Sequence, residues 1–274
     1  LPLGRFSRGS ASYSYQVIDL VALDESALRN LGYTSSTTRD ATADVLAGIF
    51  SPPSDDGETD AATRAIFGPT GRRYESRITP SYMRNTVDNP YQPRSGTRLS
   101  ASFQFVGGPL GGTVSYYRPS LEAVVYRPVK KRMALGLRAD FGYIRPFGTT
   151  SEIPYYLRYF LGGETQIRGY DVRTVAPANE SGTAVGGNKY MLFNAEYYFD
   201  VFGPLRFLLF FDAGEAFTEG RGLYWKTMRN STGAEVRFQM PVLNVPFRLI
   251  YAWNPTRDPF QPRTAFKFAV GTTF

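Results

Sequence analysis

The chain has 274 residues, of which 20% are charged, and a formal net charge of +7. It contains no Cys and no His, which excludes a Ser-His-Asp or Cys-His nucleophilic site, a zinc site built from those residues and any disulfide. Its 31 Lys and Arg residues are scattered, so no nucleic acid is expected as a partner, whereas the anionic headgroups of a lipid layer remain available to a basic chain.

The composition predicts an all-β protein, because Gly, Tyr and Phe are abundant and long amphipathic helical patterns are nearly absent. No apolar run approaches the roughly 20 residues that a membrane-spanning helix needs, so any crossing of a membrane would be made by strands. Nothing resembling a linker divides the chain, which favours one domain over 1–274. The chain starts at Leu1 without an initiator Met or an apolar leader, and we expect an internal piece of a longer protein.

Alternation of apolar and polar side chains recurs ten times and predicts ten strands, each with two different faces. Residues 24–70 lack this alternation and are predicted to form one very long exposed loop, with room for a short helix at 41–50. The predicted strands cover residues 10–21, 73–86, 98–105, 113–127, 133–143, 189–199, 205–214, 228–240, 247–253 and 266–274.

A second long loop is predicted at 161–189, which is rich in Gly, Pro, Asn and Ser. Loops beyond roughly 12–15 residues are usually functional or disordered. Disorder fits poorly, because it would leave four apolar side chains in water, those of Ile167, Tyr170, Val172 and Val175. The sequence therefore favours a loop folded against something, with Arg168 and Gly169 at its tip, over a plain exposed loop.

Short turns at one end of the strands, longer loops at the other and an apolar face ringed by aromatic residues are typical of a transmembrane antiparallel β-barrel. Each strand needs only about 9–11 tilted residues to cross. Backbone groups in lipid must all be paired, so such a sheet has to close or meet a partner. A soluble β-sandwich or jelly roll is the alternative.

From about Ser10 to its end the chain resembles the BamA/TamA superfamily of outer-membrane assembly proteins, whose barrel is the bacterial surface antigen domain. The motifs that carry this resemblance are FLGG at 160–163, IRGY at 167–170, GGNK at 186–189, FFDAG at 210–214, DNP at 88–90 with RSG at 94–96, and a last aromatic strand ending in Phe274. The family barrel has sixteen strands behind periplasmic POTRA domains. The resemblance implies a protein of the Gram-negative outer membrane, with the ten or so C-terminal strands present and the first strands and POTRA domains absent.

The resemblance also implies that the loop at 161–189 folds into the lumen, where Arg168 of the motif Ile167-Arg168-Gly169-Tyr170 pairs with Asp212 and Glu196. Phe210 and Gly214 complete the strand motif around Asp212. Side-chain alternation independently puts Glu196 and Asp212 on the polar face. An unpaired charge there would cost on the order of 3–5 kcal/mol. A solvated Arg168, with Asp212 lining a wet channel, is the alternative.

The last predicted strand has two interpretations. Its alternating apolar residues suit a lipid-facing surface; they are Phe266, Phe268, Val270 and Phe274. The resemblance implies in addition a seam between the first and last strands that opens and accepts another chain by edge pairing. Gly271 would make this strand easier to distort.

The expected function is that of an outer-membrane β-barrel assembly and insertion factor, acting by lateral opening and strand templating without covalent catalysis. No cofactor and no metal is expected, and a hydrolase is disfavoured because no His is present to act as a base. The expected partners are outer-membrane lipid, unfolded β-barrel clients, and periplasmic accessory lipoproteins and chaperones. A two-partner secretion translocator or another outer-membrane transport channel is the alternative.

Overall fold

The structure, a computed structural model, describes residues 2–20, 71–178, 184–218, 220, 227–240, 245–259 and 261–271. The predicted loop at 24–70 and Phe274 lie outside the described residues. Twelve antiparallel strands make up a single sheet. They are β1 (Pro2–Gly4), β2 (Ser7–Leu20), β3 (Gly71–Asn85), β4 (Gly96–Val106), β5 (Tyr116–Lys130), β6 (Met133–Tyr143), β7 (Arg145–Pro146), β8 (Lys189–Phe202), β9 (Leu205–Phe217), β10 (Arg229–Met240), β11 (Val245–Trp253) and β12 (Thr264–Val270).

The strands follow the chain order around the sheet, except that the two-residue β7 pairs with β5 and leaves β6 next to β8. The ten longer strands correspond to the ten predicted from alternation, which confirms the all-β fold class. The sequence did not predict β1 and β7, because strands of three and two residues are too short to show a period of two. Within the described ranges the helices are two short 3₁₀ turns, Gly108–Leu110 and Tyr155–Leu157.

Antiparallel neighbours place their connections alternately at two ends of the sheet. One end, here called the short-turn end, carries the segments 86–95, 131–132 and 203–204. The opposite end, the long-loop end, carries the connections 107–115, 147–188 and 254–263. Two of these three connections at the short-turn end have two residues each, whereas the three at the long-loop end have nine or more, as the sequence predicts; the ten-residue segment 86–95 is the exception.

The two faces of the sheet differ in chemistry. The outer face is apolar and uncovered: the side chains of Phe211 and Phe268 are 49% and 60% exposed. The inner face, on which residues 161–178 lie, buries charged residues such as Glu196 and Asp212. A soluble sandwich would bury the apolar face and solvate the polar one. The structure does the reverse, as a barrel in lipid requires.

Both edges of the sheet are open within the described part of the chain, since β12 pairs there with β11 alone and β1 with β2 alone. The prediction that the last strand runs through Gly271 in regular geometry is wrong, although the Gly271 N–H still donates to the Pro246 carbonyl beside β11 at 3.0 Å. Strand β12 ends at Val270, and Gly271 has a φ of 116°, a left-handed conformation outside the range of β-strands. None of the helices described is long and apolar enough to cross a membrane.

Candidate functional site on the inner face

Residues 161–178, here called the inner loop, fold back on themselves. Reciprocal backbone hydrogen bonds join Leu161 and Val175 at 2.9 and 3.0 Å. Between them Ile167 and Tyr170 are fully buried and pack with Leu192 of β8. This packing supplies the apolar contacts that the sequence requires of the loop.

One of the four apolar residues cited for the loop was wrongly expected to be covered. Val172 is 66% exposed. It lies in a tight turn in which the Thr174 N–H donates to the Asp171 carbonyl at 3.3 Å, and Arg173 has a φ of 65°. The reversal of the chain at this point leaves Val172 in solvent.

The Arg168 guanidinium is 2% exposed and meets Asp212 of β9 at two points. Its Nε donates to Oδ2 at 2.7 Å and its Nη2 to Oδ1 at 2.6 Å. The backbone N–H of Arg168 donates to the same carboxylate at 3.0 Å. Such two-point pairing of charged groups is stronger and more directional than a neutral hydrogen bond.

Two further carboxylates share the remaining donor of Arg168. Nη1 donates to Glu196 Oε1 on β8 at 2.5 Å and to Glu235 Oε2 on β10 at 3.0 Å. Burial acts to lower the pKa of the Arg168 guanidinium, but the attraction of the acidic groups, Asp212 foremost, raises it well above the ordinary arginine value. Arg168 is therefore permanently charged, and three strands hold it.

Two arginines of the barrel wall balance the acidic groups. Arg237 of β10 donates from Nη2 to Glu196 at 2.6 Å, and Arg248 of β11 donates from Nε to Glu235 at 2.7 Å. We call the buried group the ion cluster; its members are Arg168, Glu196, Asp212, Glu235, Arg237 and Arg248. Three guanidiniums face three carboxylates, so the cluster is neutral as a whole, which offsets much of the cost of burying each charge.

Neutral side chains complete the seat of Arg168. The ring of Phe210 lies under the guanidinium, with Cζ 3.9 Å from the ring centroid. Asn194 Nδ2 donates both to Asp212 Oδ1 at 2.8 Å and to the Gln166 carbonyl of the inner loop at 2.7 Å. These contacts fix the orientation of the carboxylate and of the loop backbone together.

Two glycines let the inner loop approach the wall. Gly169 has a φ of 93°, and a Cβ added there would lie 2.8 Å from the Cβ of Ala252. Its carbonyl accepts a hydrogen bond from Asn254 Nδ2 at 3.0 Å. At Gly214 of β9 an added Cβ would lie 3.1 Å from Cδ1 of Ile167. The loop therefore docks against bare backbone at this point.

The last strand contributes one residue to the site that was not predicted there. Phe266, Phe268 and Val270 lie exposed on the outer face, as the lipid-facing interpretation of this strand expects. Lys267, on the inner face of β12, donates to the Tyr170 carbonyl at 2.9 Å and to Asp171 Oδ1 at 2.8 Å. The inner loop is thus tied to the last strand as well as to β8–β10.

The structure brings together Ile167, Arg168, Gly169, Tyr170, Glu196, Phe210, Asp212 and Gly214. Sequence reasoning missed Glu235, Arg237, Arg248 and Lys267 as members of this site. The alternation that put Glu196 and Asp212 on the polar face also puts Glu235 and Arg237 there, so this signal was present in the predicted strand 228–240.

Comparison with known proteins yields a family and several relatives. The Omp85 superfamily domain matches residues 3–274. The outer membrane protein assembly factor BamA of Nitratidesulfovibrio vulgaris is 29% identical over 220 residues, which cover 78% of this chain and 28% of the relative. BamA of Neisseria meningitidis serogroup B is 27% identical over 231 residues, covering 72% and 28% respectively. A SAM50-like protein of Schizosaccharomyces pombe is 24% identical over 208 residues, covering 73% and 42%.

A solved structure shows the same fold. The crystal structure of BamA from Haemophilus ducreyi lacking POTRA domains 1–3 superposes with a TM-score of 0.68 at 15% identity, covering 98% of this chain and 52% of that one. The sheet is accordingly the wall of a transmembrane β-barrel, and its inner face lines the lumen. The chain spans between about a quarter and a half of the length of these relatives.

Proposed function

Because this chain belongs to the Omp85 superfamily, whose domain covers residues 3–274, we propose that it is the barrel part of a factor that assembles other β-barrel proteins. It is a protein of the Gram-negative outer membrane. The observation that carries the proposal is the match of the superfamily domain to residues 3–274, together with a lumenal loop that the ion cluster around Arg168 holds against β8–β10.

The edge of β12 is where a client strand would pair. An unpaired edge presents a row of backbone N–H and C=O groups, which can accept another chain by β-augmentation. Lateral opening and templating at this edge are therefore the mechanism that we propose.

The inner loop would keep the rest of the barrel rigid during this opening. Lys267 links the loop directly to β12 through the Tyr170 carbonyl. We assign the loop at 161–189 to the lumen and the loop at 24–70 to the extracellular side, with POTRA domains upstream in the whole protein. Force from paired strands rather than covalent catalysis would do the work, which is consistent with a sequence free of Cys and His.

The proposed partners follow from the two surfaces. Outer-membrane lipid would cover the apolar outer face, on which Phe211 and Phe268 are exposed. Unfolded β-barrel chains would be the clients at the β12 edge. Periplasmic lipoproteins and chaperones would deliver them.

One observation favours a second candidate function, a two-partner secretion translocator or another outer-membrane transport channel. The inner face of β2–β5 carries pairs of serine hydroxyls, with Ser10 and Ser81 joined at 2.6 Å and Ser102 and Ser120 joined at 2.6 Å. A hydroxyl-lined wall suits the passage of a polar polypeptide through the lumen.

The two functions separate in one experiment on the full-length protein. Its depletion should lower the amounts of other outer-membrane barrels, measured by mass spectrometry of the outer-membrane fraction. In lipid vesicles it should speed the folding of a urea-unfolded barrel, followed by the faster gel migration of the unheated folded form. Normal barrel levels together with loss of one large secreted protein and a measurable pore conductance would favour the translocator instead.

A further inference from the structure

The connection between β3 and β4, residues 86–95, is shaped by hydrogen bonds within the segment itself. We call it the base segment. Oδ1 of Asp88 accepts the backbone N–H groups of Asn89 and Arg94 at 2.9 and 3.0 Å. Oδ1 of Asn89 accepts those of Tyr91 and Gln92 at 2.8 and 3.1 Å. Side chains that cap backbone donors in this way preform a turn.

The base segment reaches across the inner face at the short-turn end. Arg94 Nη2 donates to the Lys130 carbonyl at 3.0 Å, where β5 ends, and Arg94 Nε lies 3.4 Å from Asp200 Oδ2 on β8. Arg206 of β9 donates from Nη1 to the Pro93 carbonyl at 3.2 Å. A segment that starts between β3 and β4 therefore contacts β9, four strands further along the sheet.

The docking partner Arg206 is itself held firmly. It is 3% exposed, and its Nε donates to Asp200 Oδ1 at 2.6 Å. Val87 of the base segment packs against the apolar cluster that includes Tyr198. Ionic and apolar contacts thus act together to hold the segment against the wall.

Tyr198 connects this docking site with the ion cluster. Its buried ring lies beneath Arg206, with the guanidinium carbon 4.7 Å from the ring centroid. Its hydroxyl donates to Oε2 of Glu196, the carboxylate whose other oxygen holds Arg168. Gly136 of β6 leaves room for the ring, since an added Cβ there would lie 2.8 Å from Tyr198 Cε2. Glu196 and Asp200 lie four residues apart on β8, about 13 Å at about 3.3 Å per residue.

We propose that the base segment is a second docking element, which covers the short-turn end of the lumen and is coupled to the inner loop through Arg206, Tyr198 and Glu196. Release of either element weakens the contacts that hold the other, because Tyr198 both stacks under Arg206 and binds Glu196. Coupling between two sites is reciprocal by thermodynamic necessity. The proposal concerns the conformational equilibrium of the barrel itself and goes beyond the assembly function, since it holds equally for a translocator.

Hydrogen exchange measured by mass spectrometry tests the coupling in the full-length protein embedded in lipid nanodiscs. Arg206→Lys keeps the charge but loses the forked donor and its stacking on Tyr198. It should speed exchange in peptides covering the base segment and, through Tyr198, in peptides covering 161–178. Arg168→Lys tests the coupling from the other end. It should speed exchange in peptides covering 161–178 and, through Glu196 and Tyr198, in peptides covering the base segment. We expect a rise of about fivefold or more at the distant element, the lower range of typical coupling between sites.

Two further variants make the test specific. Tyr198→Phe removes the hydroxyl that contacts Glu196 while keeping the ring, so in this background Arg206→Lys should no longer affect the inner loop. Arg127→Lys changes an exposed arginine of β5 and serves as the matched control. If Arg206→Lys reduces the yield of folded barrel, Asp200→Asn replaces it, because this change weakens the same ion pair. The same increases in exchange are then expected. If each variant speeds exchange in its own element and leaves the other at the wild-type rate, the coupling proposal is wrong, whatever the protein assembles.

Discussion

The guanidinium of Arg168 and the carboxylate of Asp212 meet in a two-point fork, with both N–O distances at or below 2.7 Å. The two residues are 44 positions apart, one in a loop and the other on β9. Backbone and side chain of Arg168 both donate to this one carboxylate. The fork therefore fixes the position of the inner loop in the lumen, and it also neutralises the charge of Arg168 with that of Asp212.

Asp212→Asn should release the inner loop, because the amide cannot offer two acceptor oxygens to the guanidinium. Breaking one side of a buried ion pair typically costs about 3–5 kcal/mol. Arg168→Ala should act in the same direction. Both changes should increase cleavage of the inner loop by added protease and lower barrel-assembly activity of the full-length protein.

Asp258→Asn is the matched control for this pair, since Asp258 is the half-exposed partner of Arg229. An exposed pair is worth about 0–1 kcal/mol, so this change should leave protease sensitivity nearly unaltered. Unchanged loop cleavage and unchanged assembly with Arg168→Ala would show that the ion cluster does not hold the loop.

Gly214→Ala should lift the inner loop from β9 without altering any charge. The new methyl group would lie 2.9 Å from the Met191 carbonyl oxygen and 3.1 Å from the side chains of Ile167 and Leu161. Overpacking of this kind typically costs about 1–3 kcal/mol. The temperature at which the folded form disappears on a gel should fall, while Gly4→Ala, with nothing within 4 Å of its Cβ, should leave it unchanged. Equal temperatures for the two variants would argue against close docking at Gly214.

Alternation alone was sufficient to predict the ten long strands and the two faces of the sheet, because a barrel wall in lipid keeps the period of two along every strand. The pairing of Arg168 with Asp212 and Glu196 was predicted from the family resemblance. Alternation independently placed the two carboxylates on the polar face of the sheet. Glu235, by contrast, lies 67 positions from Arg168. Alternation predicts which face of the sheet carries Glu235. Which residues Glu235 contacts there depends on strand order and register, which a single sequence does not specify.

The contacts of the base segment were beyond sequence reasoning for a related reason. Its turn residues predicted a local reversal, as found. Docking of Pro93 against Arg206 joins positions 113 apart through a backbone carbonyl, which any residue would supply. No pattern in the sequence marks such a contact.

The carboxyl group of Asp88 gives the base segment a dependence on pH. Partial burial acts to raise its pKa, but hydrogen bonds from the backbone of Arg94 and its neighbours outweigh this and lower the pKa below the usual value. A group whose pKa is lower in the folded protein stabilises it at pH values above the unfolded pKa, which is about 3.9 for Asp. This contribution is lost as the pH falls through the lowered folded pKa.

NMR titration of the Asp88 carboxyl carbon should therefore give a midpoint below about 3.9. Asp88→Asn should remove the dependence of base-segment exchange on this titration, after correction for the intrinsic pH effect on exchange. A midpoint at or above the usual value would mean that the backbone donors do not bind the carboxylate in solution.

Phe211 tests the assignment of the outer face to lipid. Its side chain is 49% exposed and points away from the neighbouring Asp212 of the lumen. An arginine on the lipid face of a barrel costs about 2–4 kcal/mol near the bilayer midplane. Phe211→Arg should therefore lower the yield of heat-modifiable barrel in the outer membrane, whereas Ser10→Arg, on the exposed inner face of β2, should be tolerated. Because the two changes add the same charge, equal yields would remove the distinction between a lipid face and a lumen face on which the barrel assignment rests.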